Sequence, residues 1–267
     1  DTKVTPSYFE IKRWRKGNAS NIRLNIIRQL HDGDWVILAK PKKRLKITDK
    51  LIFSDKDHVS ADVVGFEDEH VKIRFNQNMD MMAWIESNGE LPLPPYITAQ
   101  RELRDEDKES YQTVYAEHAG SAAAPTAGLH FTKKLLDSIQ AKGIRICNVI
   151  LHVGSGTFSP IKTDNILDHK IHSEWCHLDS QAANLLNQTR AAGGNIIAVG
   201  TTSMRILESA VDGTGKFSEY KGETDIYIKP GHKFRAADAM ITNFHLPKSS
   251  LFVLVCAYYG IDDMQKA

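Results

Sequence analysis

The sequence predicts an α/β protein in two parts: a small antiparallel β-barrel over residues 1–98 and a larger α/β domain over residues 99–267. Three observations carry this reading. Short apolar runs with period-two alternation recur at close intervals through residues 4–98, with turn residues between them. The segment Leu91-Pro92-Leu93-Pro94-Pro95-Tyr96 then interrupts, and it suits neither a regular helix nor a central strand. From Thr132 onward, capped helical patterns alternate with runs rich in β-branched residues.

In the first part, Val4, Ser7, Phe9 and Ile11 open the alternation, and Asn21 to Ile26 continues it after a turn at Gly17-Asn18. Asp32-Gly33-Asp34 makes a further turn before Trp35 to Ala39. Leu51 to Phe53, Val59 to Val64 and His70 to Phe75 follow at the spacing of a small closed barrel. Lys40 to Lys50, KPKKRLKITDK, is the most basic run in the chain, either a solvated loop or a phosphate contact. Met79 to Trp84 is expected to form a helical turn, and Arg101 to Glu109 an exposed loop or helix.

In the second part, Thr132 caps a helix whose Leu135, Leu136 and Ile139 face one side and which stops at Gly143. Ile144 to Val153 reads as a buried strand. Asp179 or Ser180 caps a helix with Ala183, Leu185 and Leu186, ended by Gly193-Gly194. A second buried strand, Asn195 to Val199, leads through Gly200-Thr201-Thr202 into a helix from Ser203. A third, Ala237 to Ile241, leads through residues 242–247 into the apolar helix Ser250 to Tyr259.

Composition bounds the function. The chain has 267 residues, 42% of them hydrophobic and 25% charged, as in soluble globular proteins. No window approaches the ~18 apolar residues of a membrane helix. The chain starts at Asp1 with no methionine and no signal-peptide core, so it reads as trimmed, and a cytoplasmic monomer is expected. Cys147, Cys176 and Cys256 lie far apart with no CxxC pair, which speaks against a zinc ribbon or a disulfide framework and fits a reducing compartment. The net charge of +1 does not itself demand a nucleic-acid partner, although a local basic run supplies one route to it.

Strand ends in open α/β sheets gather ligand-binding loops. Loops 152–158, 200–205 and 242–248 are therefore expected to line one cleft, joined by residues 128–131 at the end of Gly120 to Thr132, GSAAAPTAGLHFT. Small residues there let backbone approach its neighbours closely. Each signal alone is weak. Gly154-x-Gly156 lacks a full dinucleotide fingerprint. Gly200-Thr201-Thr202 is either an anion cradle or an ordinary helix start. His169-x-x-His172-x-Glu174 does not have zinc-helix spacing, and no metal is assigned to it. Ser155 and Ser203 lack the GxSxG context of a hydrolase nucleophile. His152 is either functional or a satisfied core residue.

In combination, the motifs are specific. Asp1 to Val4 (DTKV), LPLPPYI (91–97), YQTVYA (111–116), GSAAAPTAGLHFT (120–132) and LHVGSGTFSPI (151–161) resemble segments of the S-adenosylmethionine:tRNA ribosyltransferase-isomerases. So do HKIHSEW (169–175), AVGTTSMRILES (198–209), TDIYIKPGHKF (224–234) and ITNFHLPKSSL (241–251), in the same order over essentially the whole chain. The resemblance implies an α/β domain with the small barrel inserted, and further segments before DTKV and after the last helix. It implies that the ribosyl moiety of S-adenosylmethionine passes to 7-aminomethyl-7-deazaguanine at the wobble position of tRNA and is isomerised. The products are epoxyqueuosine-tRNA, adenine and methionine. S-adenosylmethionine is then a substrate, and no cofactor, metal or membrane is required. A non-catalytic RNA-binding module of the same fold is the alternative.

Under that resemblance, the substrate nucleoside is expected against Gly128, Leu129 and Phe131, against Gly154, Ser155, Gly156, Thr157 and Phe158, and against Gly200, Thr201, Thr202, Arg205 and Asn243. A sulfonium favours carboxylates or aromatic faces, so Glu174, Glu208, Asp225 and Phe158 are candidates to face it. Removing the acidic proton beside sulfur needs a base of near-neutral pKa: His130 or His172, with His245 next. Glu174 is expected either to orient a histidine or to face the sulfonium. Because i, i+2 residues of an extended chain share a face, His172 and Glu174 are expected to point the same way. Lys42, Lys43 and Arg44 are expected to contact tRNA phosphates.

Overall fold

The computed structural model describes residues 1–54, 56–67, 70–154, 161 and 163–266. It comprises two compact units, Val4–Leu93, and Asp1–Lys3 with Pro94–Ala267.

The smaller unit is a closed barrel of β2 (Tyr8–Arg15), β3 (Asn18–Gln29), β4 (Trp35–Lys40), β5 (Lys50–Ser54), β6 (Val59–Glu67) and β7 (His70–Phe75), in the order β2-β3-β4-β7-β6-β5. Every neighbouring pair is antiparallel, and closure leaves no exposed sheet edge. The period-two pattern explains the interior: Phe9, Ile11, Ile22, Leu24, Ile37, Leu51, Val59, Ala61, Val71 and Ile73 are all buried in one cluster. Opposed positions such as Ile11 and Ile22 are in register. Helix α1 (Met81–Asn88) starts at Asp80, whose carboxylate accepts from the Ala83 amide at 3.1 Å. It sends Met81 and Ile85 into the barrel cluster and stacks Trp84 on Phe9 at 5.7 Å. The basic run forms a short 3-10 turn at Lys42–Arg44 between β4 and β5.

The larger unit holds β1 (Thr2–Val4) paired with β8 (His118–Ser121), and a three-stranded sheet of β12 (Tyr220–Thr224), β10 (Glu174–Leu178) and β9 (Ile150–Leu151). A parallel pair, β11 (Ile197–Val199) and β13 (Ala239–Ile241), completes its strands among the described residues. The expected strands Ile144–Val153, Asn195–Val199 and Ala237–Ile241 therefore do not share one sheet, and the first is strand only at Ile150–Leu151. Around these strands lie α2 (Pro95–Thr98), α3 (Asp107–Ser110), α4 (Lys133–Ala141), α5 (Ser180–Ala191), α6 (Thr201–Ala210), α7 (Ser250–Tyr259) and α8 (Ile261–Lys266).

Capping chemistry sets several helix starts. Thr132, Asp179 and Ser249 each accept from a backbone amide with the side-chain oxygen, at 3.1, 2.7 and 3.1 Å. The proline cluster carries a short helix, α2, against the expectation of irregular chain, because Pro95 occupies a helix's first position, where its missing N–H costs nothing. Helix α6 begins at Thr201, two residues before the expected Ser203. Helix α4 also departs from expectation, for none of its residues is buried and Leu135 is 43% exposed. Its stripe of Leu135, Leu136 and Ile139 is amphipathic in sequence but has no core to enter among the described residues. The core instead gathers Cys176, Leu178, Leu186, Met204, Ile206, Phe217, Ile228 and Leu254 around α6.

Leu51 is fully buried in the barrel. Leu51→Ala is expected to cost about 2–5 kcal/mol of stability, the range for deleting a buried leucine side chain. Urea-melt midpoints of parent and variant check this.

Candidate active site

The strand ends β11 and β13 bring three loops together. The Gly200 amide donates to the Ile241 carbonyl at 2.8 Å. Gly200 itself has φ of +93°, a conformation in which a side chain is strained, and the Ala127 methyl lies 3.8 Å from where a Cβ would be. Residues Thr126–His130 form a 3-10 turn that ends this approach. Gly128 is required by crowding, since a Cβ there would meet the Tyr115 hydroxyl at 2.1 Å and Thr113 Cγ2 at 2.8 Å. His130, at the end of the turn, bonds through Nε2 to Asn243 Oδ1 at 3.0 Å. With its Oδ1 turned to the ring, Asn243 accepts, so Nε2 is the donor of this contact and Nδ1 is left free of it. The expected residues Gly128, Leu129, His130, Gly200, Thr201 and Asn243 thus fall in one neighbourhood, with Phe131 and Thr202 adjoining them in sequence. Gly200 gives α6 no side-chain cap, so its first-turn amides and dipole favour an anion. His245 follows on the same loop, its Nε2 3.0 Å from Thr242 Oγ1, and burial pushes its ring below the ordinary value of 6.5.

A second group lies one turn along α6. Arg205 and Glu174 form a buried ion pair, with side chains only 5% and 3% exposed. The other Glu174 oxygen accepts from the Gly154 amide at 2.9 Å. Arg205 also reaches the carbonyls of Ile226 and Thr224, each at 3.4 Å. Each Glu174 oxygen has a protein partner, Gly154 N–H on one and Arg205 on the other, and the carboxylate also lines a pocket with His172. His172 is exposed and precedes β10, yet it lines the same pocket as Glu174 and Arg205. The pocket also takes in His169, Tyr227, Ile228, Ser250 and Leu254.

Glu208 does not belong to this group. Its carboxylate accepts from the Arg235 and Ala236 amides at 2.9 and 2.8 Å and meets His232 at 3.0 Å. It fastens the segment after β12. Asp225 is exposed between Thr224 and Ile226. Ser155, Gly156, Thr157 and Phe158 lie outside the described residues. Lys43 and Arg44 are exposed on the barrel unit, and Lys42 lies over the Phe66 ring at 5.9 Å.

Sequence reasoning weighed His169 only as a metal ligand and did not single out Tyr227. Their rings meet edge to face at 5.6 Å, and the Lys229 ammonium sits 5.2 Å from the Tyr227 ring centre. Among the described residues the buried Tyr227 hydroxyl has no hydrogen-bond partner. Burial, then the neighbouring His172, pushes His169 below its ordinary value. The available signal was position, for both residues fall inside motif segments 169–175 and 224–234.

Comparison with known proteins decides the family. A model of the family described as queuosine biosynthesis protein matches residues 1–267. The chain belongs to this family. Curated relatives in it carry the name S-adenosylmethionine:tRNA ribosyltransferase-isomerase, so the queuosine biosynthesis family is one of enzymes. The relative from Phenylobacterium zucineum is 44% identical over 277 residues, spanning all of this chain and 77% of its own length. That from Ruegeria pomeroyi is 43% identical over 271 residues, with the same coverage. A crystal structure of S-adenosylmethionine tRNA ribosyltransferase from Thermotoga maritima aligns with a TM-score of 0.44 at 28% identity, covering 100% of this chain and 72% of that one.

Arg205→Ala is expected to destabilise the protein by about 3–5 kcal/mol, because it strands the Glu174 carboxylate in the interior. Replacing both partners with apolar residues of similar size (Arg205→Met with Glu174→Leu) is expected to recover most of that loss. Equilibrium urea unfolding of parent, single and double variants measures it.

Proposed function

We propose that this chain transfers and isomerises the ribosyl moiety of S-adenosylmethionine onto 7-aminomethyl-7-deazaguanine at the wobble position of tRNA, giving epoxyqueuosine-tRNA, adenine and methionine. The observation that carries the reading is 44% identity across the whole chain to a relative named for this reaction class, with residues 1–267 matching the family model. The convergence of residues 126–130, 200–202 and 241–245 supports it as a place for the nucleoside. S-adenosylmethionine is substrate rather than cofactor in this scheme. Among the described residues no helix is long and apolar enough to cross a membrane, and a tRNA substrate argues for a reaction in the cytoplasm.

Mechanistically, the sulfonium acidifies the adjacent ribosyl C–H. His130 is our general base, because Asn243 fixes its Nε2–H and leaves Nδ1 to take that proton. The C–S bond breaks to release methionine as its thioether, and the N-glycosidic bond breaks to release adenine, which leaves with a proton. The aminomethyl nitrogen bonds to the ribosyl carbons and loses one N–H proton to solvent, while a new C–C bond closes the carbocycle and a ribose oxygen bridges two of its carbons as the epoxide. His172 and His245 are the remaining histidine candidates of the two groups, and burial disfavours the charged form of His245. The Arg205–Glu174 pair holds α6, and with it the Gly200–Thr202 amides, against β10.

Incubating the enzyme with S-adenosylmethionine and tRNA bearing the 7-aminomethyl base is expected to release adenine and add the epoxycyclopentane mass to tRNA. Release of no adenine and no change of tRNA mass would mean a non-catalytic RNA-binding module. In single turnover, His130→Ala is expected to lower adenine release by about 10²–10⁴-fold, the usual cost of losing a general base. Retention within about threefold, well below that range, would move the role to His172 or His245. For tRNA binding, replacing Lys42, Lys43 and Arg44 together is expected to flatten log affinity against log salt by about 0.7–0.9 for each phosphate they neutralise.

A further inference from the structure

The basic run of the barrel has a second half that lies far from it in sequence. Lys12-Arg13-Trp14-Arg15-Lys16, at the end of β2, is joined to residues 40–50 by hydrogen bonds. Arg13 Nη1 donates to the Arg44 carbonyl at 3.1 Å, and Arg15 Nη2 donates to the same oxygen at 2.8 Å. Arg15 also pairs with Asp49, which is buried and in turn accepts from the Lys46 amide at 2.9 Å. Together the two segments carry ten Lys and Arg residues, and Asp49 is their one carboxylate. Since Asp49 is 2% exposed and held by Arg15, cations outnumber carboxylates at the surface of this rim, where Asp62 stands opposite Lys50 in register.

Strand alternation sorts the side chains. Arg13 and Arg15 sit half-buried over the rim and anchor the Lys42–Arg44 turn, whereas Lys12 and Trp14 face outward. Trp14 is 45% exposed. In register it lies between Ala19 of β3, too small to cover an indole, and Lys50 of β5. Among the described residues no aromatic ring or cation lies against Trp14. Phe66, the other exposed ring near the turn, differs because Lys42 already covers it at 5.9 Å. An open indole amid phosphate-binding charge is the combination that single-stranded nucleic acid uses, with bases stacking on the ring and lysines on the backbone.

We propose that this rim binds unpaired RNA, with Trp14 stacking on a base while Lys12, Lys16, Lys43, Arg44 and Lys50 hold the flanking phosphates. The inference rests on the proposed tRNA substrate and specifies that the barrel grips a loop rather than a stem. A paired stem offers only charge and no open base face, so a rim built for duplex would gain nothing from an exposed tryptophan.

The test uses the full chain, an RNA hairpin with an unpaired loop, and a fully paired RNA duplex of the same length. Trp14→Ala is expected to weaken hairpin binding by about 5- to 150-fold, the stacking range for one base, and to leave duplex binding within about twofold. Trp14→Phe is expected to restore hairpin binding to within about threefold of the parent, since a smaller ring still stacks. The salt slope of Trp14→Ala is expected to match the parent, because the indole neutralises no phosphate. Hairpin affinity unchanged in Trp14→Ala, or an equal loss on both RNAs, overturns the stacking assignment. Adenine release on tRNA is measured separately, so failure here leaves the proposed reaction standing, and failure there does not produce the hairpin-selective loss.

Discussion

The constraint on which the larger unit depends is the neutralisation of Arg205 inside it. A guanidinium that is 4% exposed cannot remain in a protein interior without an anion and acceptors for its remaining hydrogens. Glu174 supplies the anion, and the Thr224 and Ile226 carbonyls supply acceptors. Because these come from β10 and from the end of β12, the pair ties α6 to both strands at one point. The same carboxylate takes the Gly154 amide, which fixes the chain after β9. One charge pair therefore sets the position of three separate segments. It is weak as a source of stability in itself, since desolvating two ions offsets most of their attraction, and strong as a specifier of geometry.

Close backbone approach is the second constraint, and here the sequence was informative. The small residues of 120–132 were legible as a place where neighbours come close, and Gly128 has no space for a Cβ. Period-two alternation showed the barrel strands and turns because a closed barrel buries one face of each strand, so pattern and burial coincide at Ile11, Ile22, Leu24 and Leu51. Helix caps were legible for the same reason: Thr132 and Asp179 act within three residues of themselves. What remained hidden was long-range. Nothing near Glu174 in sequence announces Arg205, and nothing near Glu208 announces the amides of Arg235 and Ala236. Carboxylates 174 and 208 look alike in sequence as candidate ligand groups, and only the fold shows that both are engaged by protein partners.

The strand run 144–153 and helix α4 were misleading for a related reason. β-branched residues and an apolar stripe are necessary for a buried strand and a packed helix, but burial needs a neighbour to pack against. Leu135 and Ile144 find none among the described residues and are 43% and 54% exposed. The two basic segments of the barrel show the converse. Each looks like a solvated surface alone, and the Arg44 carbonyl that receives both Arg13 and Arg15 makes them one surface.

These assignments change the electrostatics that a cationic substrate would meet. With Glu174 matched by Arg205 and Glu208 turned to backbone amides, neither carboxylate presents bare charge to the pocket. An exposed carboxylate such as Asp225 is screened by water and attracts a sulfonium only weakly. The Tyr227 ring, beside His169, already carries the Lys229 ammonium at 5.2 Å, and its buried hydroxyl has no hydrogen-bond partner among the described residues. For the proposed reaction, in which the sulfonium loses its charge as methionine departs, a strong counter-ion would stabilise the ground state more than the transition state.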